Sequence, residues 1–482
     1  MNNKNLPFIL LTIGLLIVLI VPVLIQDGMF MDGVQYSCVA RNMAIGKGSF
    51  WQPIFNESWW KSNSNIFLEQ PPLGFWIQSL FYRVFGDGMY VDRFYSFFTA
   101  IVNAVFITLI WNLIFKNNSE IKKTYWIPIL FWITIPVCFW SFQNAMLENT
   151  LSIFTLAAVY FSLRTILLES KKMANLILSG ICIFLATLTK GLPGLFPLAV
   201  IPFYWLIFRN ISFLKACLYS IFIVSVPVLI YVLFLLNSTV YQSLHFYFFD
   251  RLLFRINDEP TASSRFGTLF RIISELIPIF LSVLIVFIFS KIKKQKTFTE
   301  KAYLKLGLLF ILIGLSATLP LMLTMVQKGF YFVPALPFFA IGFSIIIAKS
   351  VSEYIQKLYV NTLKYKFLLG FSVLIIISSL IFSITKIGSF SRDKDILNDV
   401  SLFGKMIPRG TLVKVDKDIY DNWPFQCYLN RYHDIGISNS DNFNYQYCIK
   451  QKNSKSEDTT KLKKVDLPTI KFELFKILNS TQ

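Results

Sequence analysis

Asp32, Glu69 and the run Glu69-Gln70-Pro71-Pro72 lie within about 65 residues, 27 to 90, that interrupt a chain otherwise rich in apolar stretches. A carboxylate beside a membrane is costly unless it is hydrated, paired or working. The diproline after Glu69 holds the chain extended and aims the acid one way. Asp32 precedes a helical pattern, so two roles stay open: a helix cap accepting backbone N–H bonds, or a base taking a proton from a hydroxyl. Glu69 likewise has two readings, an ion pair with Arg41 or Arg93, or a working acid. Lys328 and Tyr331 share a short turn between two apolar stretches, where an ammonium and a phenol suit a phosphate. A lysine followed by aromatics is also what a plain helix end looks like when its charge snorkels to water. Lys190, ahead of Gly191 and Pro193, is a comparable candidate.

These side chains must be positioned by membrane-spanning elements. With 55% hydrophobic residues, 50 Phe and a mean hydropathy of +0.57 over 482 residues, the chain cannot bury its apolar surface as one soluble globule. Stretches near the ~20 residues that cross a ~30 Å hydrocarbon core occur at 7–26, 91–115, 124–140, 143–164, 174–189, 192–208, 214–236, 269–290, 304–325, 330–349 and 367–387. The expectation is a polytopic α-helical membrane protein of about eleven transmembrane helices. A structured first exterior loop (27–90) carries surface helices within a transmembrane catalytic domain, 1–388, and a small α/β soluble domain follows at 389–482.

An odd number of spans separates the two termini, and Lys/Arg in short loops sets the orientation. Lys116, Lys122 and Lys123, Lys171 and Lys172, Arg209 and Lys215, the cluster Lys291 to Lys305, and Lys357, Lys364 and Lys366 all fall on one side of this threading. That side is expected to be cytoplasmic, together with the N-terminus. The 27–90 loop, the 237–268 loop and the tail after 388 are then exterior. Asp32, Glu69, Lys190, Arg93 and Lys328 would all lie at exterior helix ends. Much of the +19 charge sits against anionic lipid, which reads as topology and not as nucleic-acid binding. Residues 1–26 resemble a signal peptide but lack a small-residue cleavage site, so a retained first helix is expected.

Inside the loop, "MDGVQYSCVARNMAIGKG" reads as a short helix stopped by Gly46 and Gly48 and lying along the membrane surface. Trp51, Trp59 and Trp60 suit head-group depth. A second amphipathic stretch, Leu73 to Phe85, ends at the turn "FGDG". In the tail, "TLVKV" and "HDIGI" read as strands, and "KNSKSEDTTKLKK" as mobile and solvated. Cys138, Cys182 and Cys217 are apolar fillers of helices. Cys427 and Cys448 share the soluble tail, where an oxidising exterior would allow a disulfide; two buried thiols are the alternative. No inverted pair of broken helices of the transporter type is visible.

The motifs carry a resemblance. "MDGVQYSCVARNM" with Asp32, Tyr36 and Arg41, "FLEQPPLGFW" with Glu69, and Arg93 in "VDRFYS" look like the first exterior loop of GT-C glycosyltransferases. They are similar to that of bacterial relatives of protein O-mannosyltransferases and of the lipid A aminoarabinose transferase. "LATLTKGLPGLFP" and "QKGFYFVPALPFFA" resemble two further segments of that family, in matching order over residues 1 to about 350. The resemblance implies a transferase of the bacterial inner membrane that moves a sugar from a polyprenyl-phosphate donor to a protein, lipid or glycan acceptor on the exterior face, with inversion. Such a reaction needs a base, cations for the departing phosphate and an apolar groove for the prenyl chain.

On this resemblance Asp32 is the general base and Glu69 holds a divalent metal or orients the acceptor. Lys328, Tyr331, Lys190, Arg255 and Arg93 bind the donor phosphate, and Tyr36 and Arg41 contact sugar or acceptor. The chain departs from the aminoarabinose transferase at Gln70, where that enzyme has Lys. It departs again in "YQSLHFYFFDRLLFRINDEP", where Arg251 stands in place of a metal-binding His unless His245 substitutes. Two alternatives follow: the lipid A aminoarabinose transferase itself, or a transporter or flippase of polyprenyl-linked sugars. Against transport, the spans are almost free of acids, Glu148 and Glu275 falling near helix ends.

Overall fold

The computed structural model describes residues 4–59, 64–253, 261–293, 300–452 and 461–478, with the side chains of 57–59 and 64 left aside. The chain forms two compact units. One comprises Met1–Pro22, Glu69–Gly74 and Ser96–Lys386, and the other Val23–Leu68, Phe75–Tyr95 and Ile387–Gln482. The expected boundary at 388 therefore marks only the last crossing, because most of the first loop groups with the tail.

The first unit is a helical membrane body. Eight helices are long and apolar enough to cross a bilayer, and two bent pairs raise the number to ten among the described residues. Each of the eleven expected stretches coincides with helical structure, but Leu192–Phe208 is shorter than a span and its first part, Leu192–Ala199, is a 3-10 helix. Burial sorts the helices by environment. In the most apolar 18-residue stretch of Gly329–Gln356, 83% of the residues are buried, whereas in those of Phe213–Leu235 and Leu363–Ile384 only 11% and 17% are, leaving apolar faces suited to lipid.

Two spans are broken, which the sequence reading did not anticipate. Ser119–Ile133 meets Pro136–Gln143 at 80°, and Gly267–Glu275 meets Ile277–Ile292 at 51°. Proline sits at both breaks: Ile135, just before Pro136, is extended at φ −71 and ψ 124, and Pro278, in the first turn of its helix, has no N–H to continue the bonding of the helix before it. Glu275, at the second break, accepts a hydrogen bond from the Val137 N–H at the first, over 2.9 Å. That carboxylate satisfies a donor that the broken helix would otherwise leave bare.

The second unit holds the Met31–Ala44 helix, a hairpin of β1 (Ile54–Trp59) with β2 (Ser64–Ile66), most of the Leu73–Phe85 helix, and the tail. The tail adds β3 (Leu412–Val415), β4 (Gly436–Ser438), β5 (Tyr447–Gln451), β6 (Leu462–Lys464) and β7 (Phe472–Ile477) in a sheet of order β4-β3-β5-β7-β6. β3 runs parallel to β4 and β5, and β7 runs antiparallel to β5 and β6. The helix Trp423–His433 makes the crossover from β3 to β4, as a parallel pair requires. β6 shows that the end of the stretch expected to be mobile is a strand; its residues 453–460 lie outside the described residues.

Met31–Ala44 ends as expected, with Gly46 and Gly48 at positive φ. It does not rest on a surface by one face, however, because ten of its fourteen residues are buried in the core of the unit. Its short residues Gly33, Ser37, Cys38 and Ala40 permit packing on nearly all sides.

Candidate active site

In the membrane unit, segments far apart in sequence converge on two buried ion pairs. Glu69 pairs with Arg251, their side chains 12% and 8% exposed, and Lys190 pairs with Glu148, 7% and 1% exposed. Helix ends place all four. Glu148 is the second residue of the Leu147–Leu167 helix, where the helix dipole favours a carboxylate, and Lys190 is the last residue of Lys172–Lys190, where it favours a cation. Gly191 then turns the chain at φ +72, and a side chain there would collide with Tyr247. The Tyr247 hydroxyl donates to the Lys190 carbonyl over 3.3 Å, which ties the Phe246–Leu253 π-helix to this turn. Tyr247 and Arg251 are the two buried residues of that helix. Gly74, five residues after Glu69, abuts Leu147 and Thr189, neighbours of Glu148 and Lys190.

The turn singled out for phosphate joins the same cluster. The Lys190 ammonium lies 5.3 Å from the Tyr331 ring centroid and 5.8 Å from that of Phe330, a cation–π arrangement. Tyr331 donates its N–H to the Lys328 carbonyl over 3.1 Å, and the Lys328 side chain is exposed. Glu69, Lys190, Tyr331 and the Lys328 backbone are thus joined through Glu148, Arg251 and Tyr247. Of these connectors, Glu148 carried a readable signal, an acid in a nearly acid-free set of spans. Tyr247 carried none.

An apolar cavity of ≈ 560 Å³ adjoins the cluster, with Pro71, Gly191, Leu195, Pro227, Tyr231, Tyr247 and Phe248 among its walls. Pro71 lies two residues from Glu69, and Gly191 follows Lys190. Two atoms of the ion pairs, the Glu148 Oε2 and the Arg251 Nε, are buried with no hydrogen-bond partner among the described residues.

His245 does not join Glu69 in a ligand set. It is exposed, with its ring 5.6 Å from that of Tyr241 and 4.6 Å from that of Phe249. Among the described residues no three His, Cys, Asp or Glu side chains group as metal ligands. Glu69 already faces a guanidinium, which would repel a cation at the same oxygens. The ion-pair alternative for Glu69 is met by Arg251 in place of Arg41 or Arg93. Arg255 lies outside the described residues.

The remaining candidates belong to the second unit. Asp32 stands half-buried in the first turn of Met31–Ala44, and the capping position itself is Phe30, which makes no side-chain cap bond. Tyr36 is buried, its ring 5.8 Å from Phe75. Arg41 and Arg93, expected to bind ligand, are buried and saturated by protein. Arg41 reaches Asp434 at 2.8 Å and Asp87 at 3.2 Å. Arg93 meets Asp92 at 3.0 Å, the Tyr432 hydroxyl at 3.3 Å and Asp27 at 3.4 Å. Asp87 had been read only as part of a turn, yet Arg41, Arg409 and Arg431 all meet it.

The Cys427–Cys448 disulfide is not formed, and all six cysteines are free. Cys427 sits on the Trp423–His433 helix and its carbonyl accepts from the Cys38 thiol at 3.2 Å, whereas Cys448 lies within β5. Burial pushes the Cys427 thiol well above its usual pKa, and that of Cys448 up to about 11, so both stay protonated and inert near neutrality.

The chain is a polytopic membrane protein with the GT-C fold. Its structure resembles the crystal structure of ArnT from Cupriavidus metallidurans bound to undecaprenyl phosphate, with a TM-score of 0.64 and 13% identity over 98% of both chains. The apo structure of that protein gives 0.64 and 12% over 95% of this chain and 96% of that one. Residues 69–235 match the dolichyl-phosphate-mannose-protein mannosyltransferase family. That stretch contains Glu69, Glu148 and Lys190.

Among individual relatives, an undecaprenyl phosphate-alpha-4-amino-4-deoxy-L-arabinose arabinosyl transferase of Yersinia pestis (strain Pestoides F) is 24% identical over 162 residues, 33% of this chain and 27% of its own. Its counterpart in Yersinia enterocolitica is 27% identical over 128 residues, 26% and 22% of the two chains. The chain thus spans about a quarter of the length of the curated relatives it matches.

Proposed function

We propose that this protein is an inverting glycosyltransferase that moves a hexose or pentose from a polyprenyl-phosphate donor to an acceptor at the exterior face of a bacterial inner membrane. The observation that carries the reading is the apolar cavity whose walls adjoin both buried ion pairs. Hydrocarbon space bordered by fixed charge suits a ligand that is a prenyl chain at one end and a phosphate at the other. The folds similar to this one include a protein crystallised with undecaprenyl phosphate, which supports that donor class.

The chemistry follows from what such a transfer needs. An acceptor hydroxyl attacks the anomeric carbon and loses its proton to Asp32, while the carbon–oxygen bond to the phosphate breaks and the pair leaves with the polyprenyl phosphate. Lys190 and Lys328 stabilise the departing anion electrostatically, with the Tyr331 phenol as a directed donor. Among the described residues no metal-ligand group forms, so no step is assigned to a metal. The Lys-rich loops support a cytoplasmic N-terminus and an exterior tail.

The test is transfer by the purified protein in proteoliposomes containing polyprenyl-phosphate sugars, with Asp32→Asn as the decisive variant. That change keeps size and removes the base, and a 10²–10⁴-fold loss is expected for general-base catalysis. Wild-type rates from a correctly folded Asp32→Asn protein would sink the assignment. A narrower reading, aminoarabinose transfer to lipid A, is favoured by the Yersinia similarities and the ArnT fold. Mass spectrometry of lipid A from cells with and without the protein decides it: loss of an aminoarabinose mass supports this acceptor, and unchanged lipid A points to another glycan or protein.

A further inference from the structure

Arg251 carries a buried donor that the described residues leave unused. It is buried, one terminal nitrogen is spent on Glu69, and its Nε–H has no acceptor among the described residues. A guanidinium presents five N–H donors in a fixed planar fork that matches the oxygens of a phosphate. A desolvated charged donor without an acceptor is a cost unless a ligand removes it. The surroundings say which ligand. Phe248 and Phe249, three and two residues before Arg251, line the apolar cavity, as does Pro71, two residues after Glu69. The same buried helix face carries Tyr247, bonded to the carbonyl of Lys190. An anion attached to a hydrocarbon chain would find its chain in the cavity and its charge near these cations.

We infer that Arg251, steered by Glu69, anchors the phosphate of the polyprenyl donor and supplies in protein form the positive charge that a divalent metal would otherwise bring to Glu69. The inference rests on the glycosyltransferase reading and names how its donor is held. Glu69 is then a positioning residue, turning the guanidinium so that one edge stays available to an oxygen of the phosphate. A lysine here would carry the same charge as a point and lose the second edge. Electrostatics make the arrangement self-consistent: a metal ion bound to Glu69 would face the guanidinium at contact distance, whereas a phosphate is attracted by it.

The experiment measures binding of undecaprenyl phosphate and, separately, of uncharged polyprenol to the full-length protein in lipid nanodiscs, with and without EDTA. For the wild type, chelation should leave phosphate-lipid affinity unchanged. Arg251→Gln should lose at least tenfold in affinity for the phosphate lipid and keep its affinity for polyprenol, which also shows that the variant is folded. Arg251→Lys should fall between the two, and Glu69→Gln should weaken the phosphate lipid alone. Arg251→His, which places an imidazole opposite Glu69, should regain phosphate-lipid binding when Mn²⁺ or Zn²⁺ is added.

A tenfold drop on chelation of the wild type, restored by metal, overturns the inference. So does an Arg251→Gln protein that binds both lipids like the wild type. Should Arg251→Gln fail to fold, the Lys and His variants carry the same test. Sugar transfer is assayed in parallel: Arg251-dependent binding without transfer would defeat the glycosyltransferase reading and leave the anchor standing.

Discussion

Both units of this protein bury basic side chains beside carboxylates, but they finish the job differently. In the second unit every nitrogen of Arg41, Arg93 and Arg431 has an acceptor. Arg431, fully buried, meets Asp92 at 3.3 Å, Asp87 at 2.9 Å and the Gly88 carbonyl at 2.9 Å. In the membrane unit the Glu148–Lys190 and Glu69–Arg251 pairs leave Glu148 Oε2 and Arg251 Nε without partners among the described residues. A saturated network fixes geometry, because each charge is already solvated by protein. An unsaturated pair retains the capacity to bind something else. The contrast separates charges whose hydrogen bonds are complete from pairs that keep an unused atom, a distinction residue type alone does not make.

The sharpest way to break this contrast is to open the saturated network. Arg431→Ala would leave Asp87 and Asp92 without their shared guanidinium, and Asp92 has no water contact. Removing one partner of a buried ion pair typically costs about 3–5 kcal/mol. The second unit should melt or be proteolysed at markedly lower temperature, as read by hydrogen exchange of its peptides in the full-length protein. A Tm change within experimental error would show that the network is more hydrated than its burial indicates.

An intermediate effect is expected at Glu148. Glu148→Gln keeps an oxygen for the Lys190 ammonium but removes the negative charge, so its stability cost should stay near the ~1–3 kcal/mol of a lost buried hydrogen bond. Transfer should change far more, at least tenfold, if Lys190 must be held in place for the donor phosphate. The measurement is kcat and KM for the polyprenyl-phosphate sugar alongside the melting curve. A variant that loses stability and activity in proportion would move this pair to the structural side of the comparison.

The sequence made parts of this legible and hid others for physical reasons. Apolar length marked the spans, because only about 20 consecutive nonpolar residues suit a bilayer. Glu69, Lys190 and the Lys328–Tyr331 turn stood out because charge is conspicuous at the ends of such spans. Arg93 stood out for the same reason and Arg41 through the family resemblance, and both were expected at ligands, since no local pattern reveals that Asp434 and Tyr432, more than 300 residues away, satisfy them. The convergence of Glu69 on Arg251 is similarly non-local. The broken spans at Pro136 and Pro278 were not anticipated, because hydropathy averages over such breaks. Between the two readings of Cys427 and Cys448, the structure has the buried thiols, a choice left open because sequence proximity does not determine which faces a helix and a strand turn toward each other.

The smallest effect, and a sharpening of the comparison, is the response of the saturated network to acid. Burial lowers the pKa of His433, Arg409 lowers it further, and Asp87 only partly offsets them. For Asp434, burial alone would raise the carboxyl, but hydrogen bonds from Lys47 and Arg41 outweigh it and hold the group below its usual value. Both groups therefore bind protons less readily when folded. Stability is fully present above the unfolded-state values, about 6.5 for His and about 3.9 for Asp, and is lost as pH falls from each of them through the lower folded value. Two successive steps of destabilisation are expected, one beginning below about pH 6.5 and one below about pH 4. His433→Gln should erase the first and spare the second, followed as Tm against pH in the full-length protein. A His433→Gln protein whose Tm still falls as the pH drops below about 6.5 would assign that step to another group.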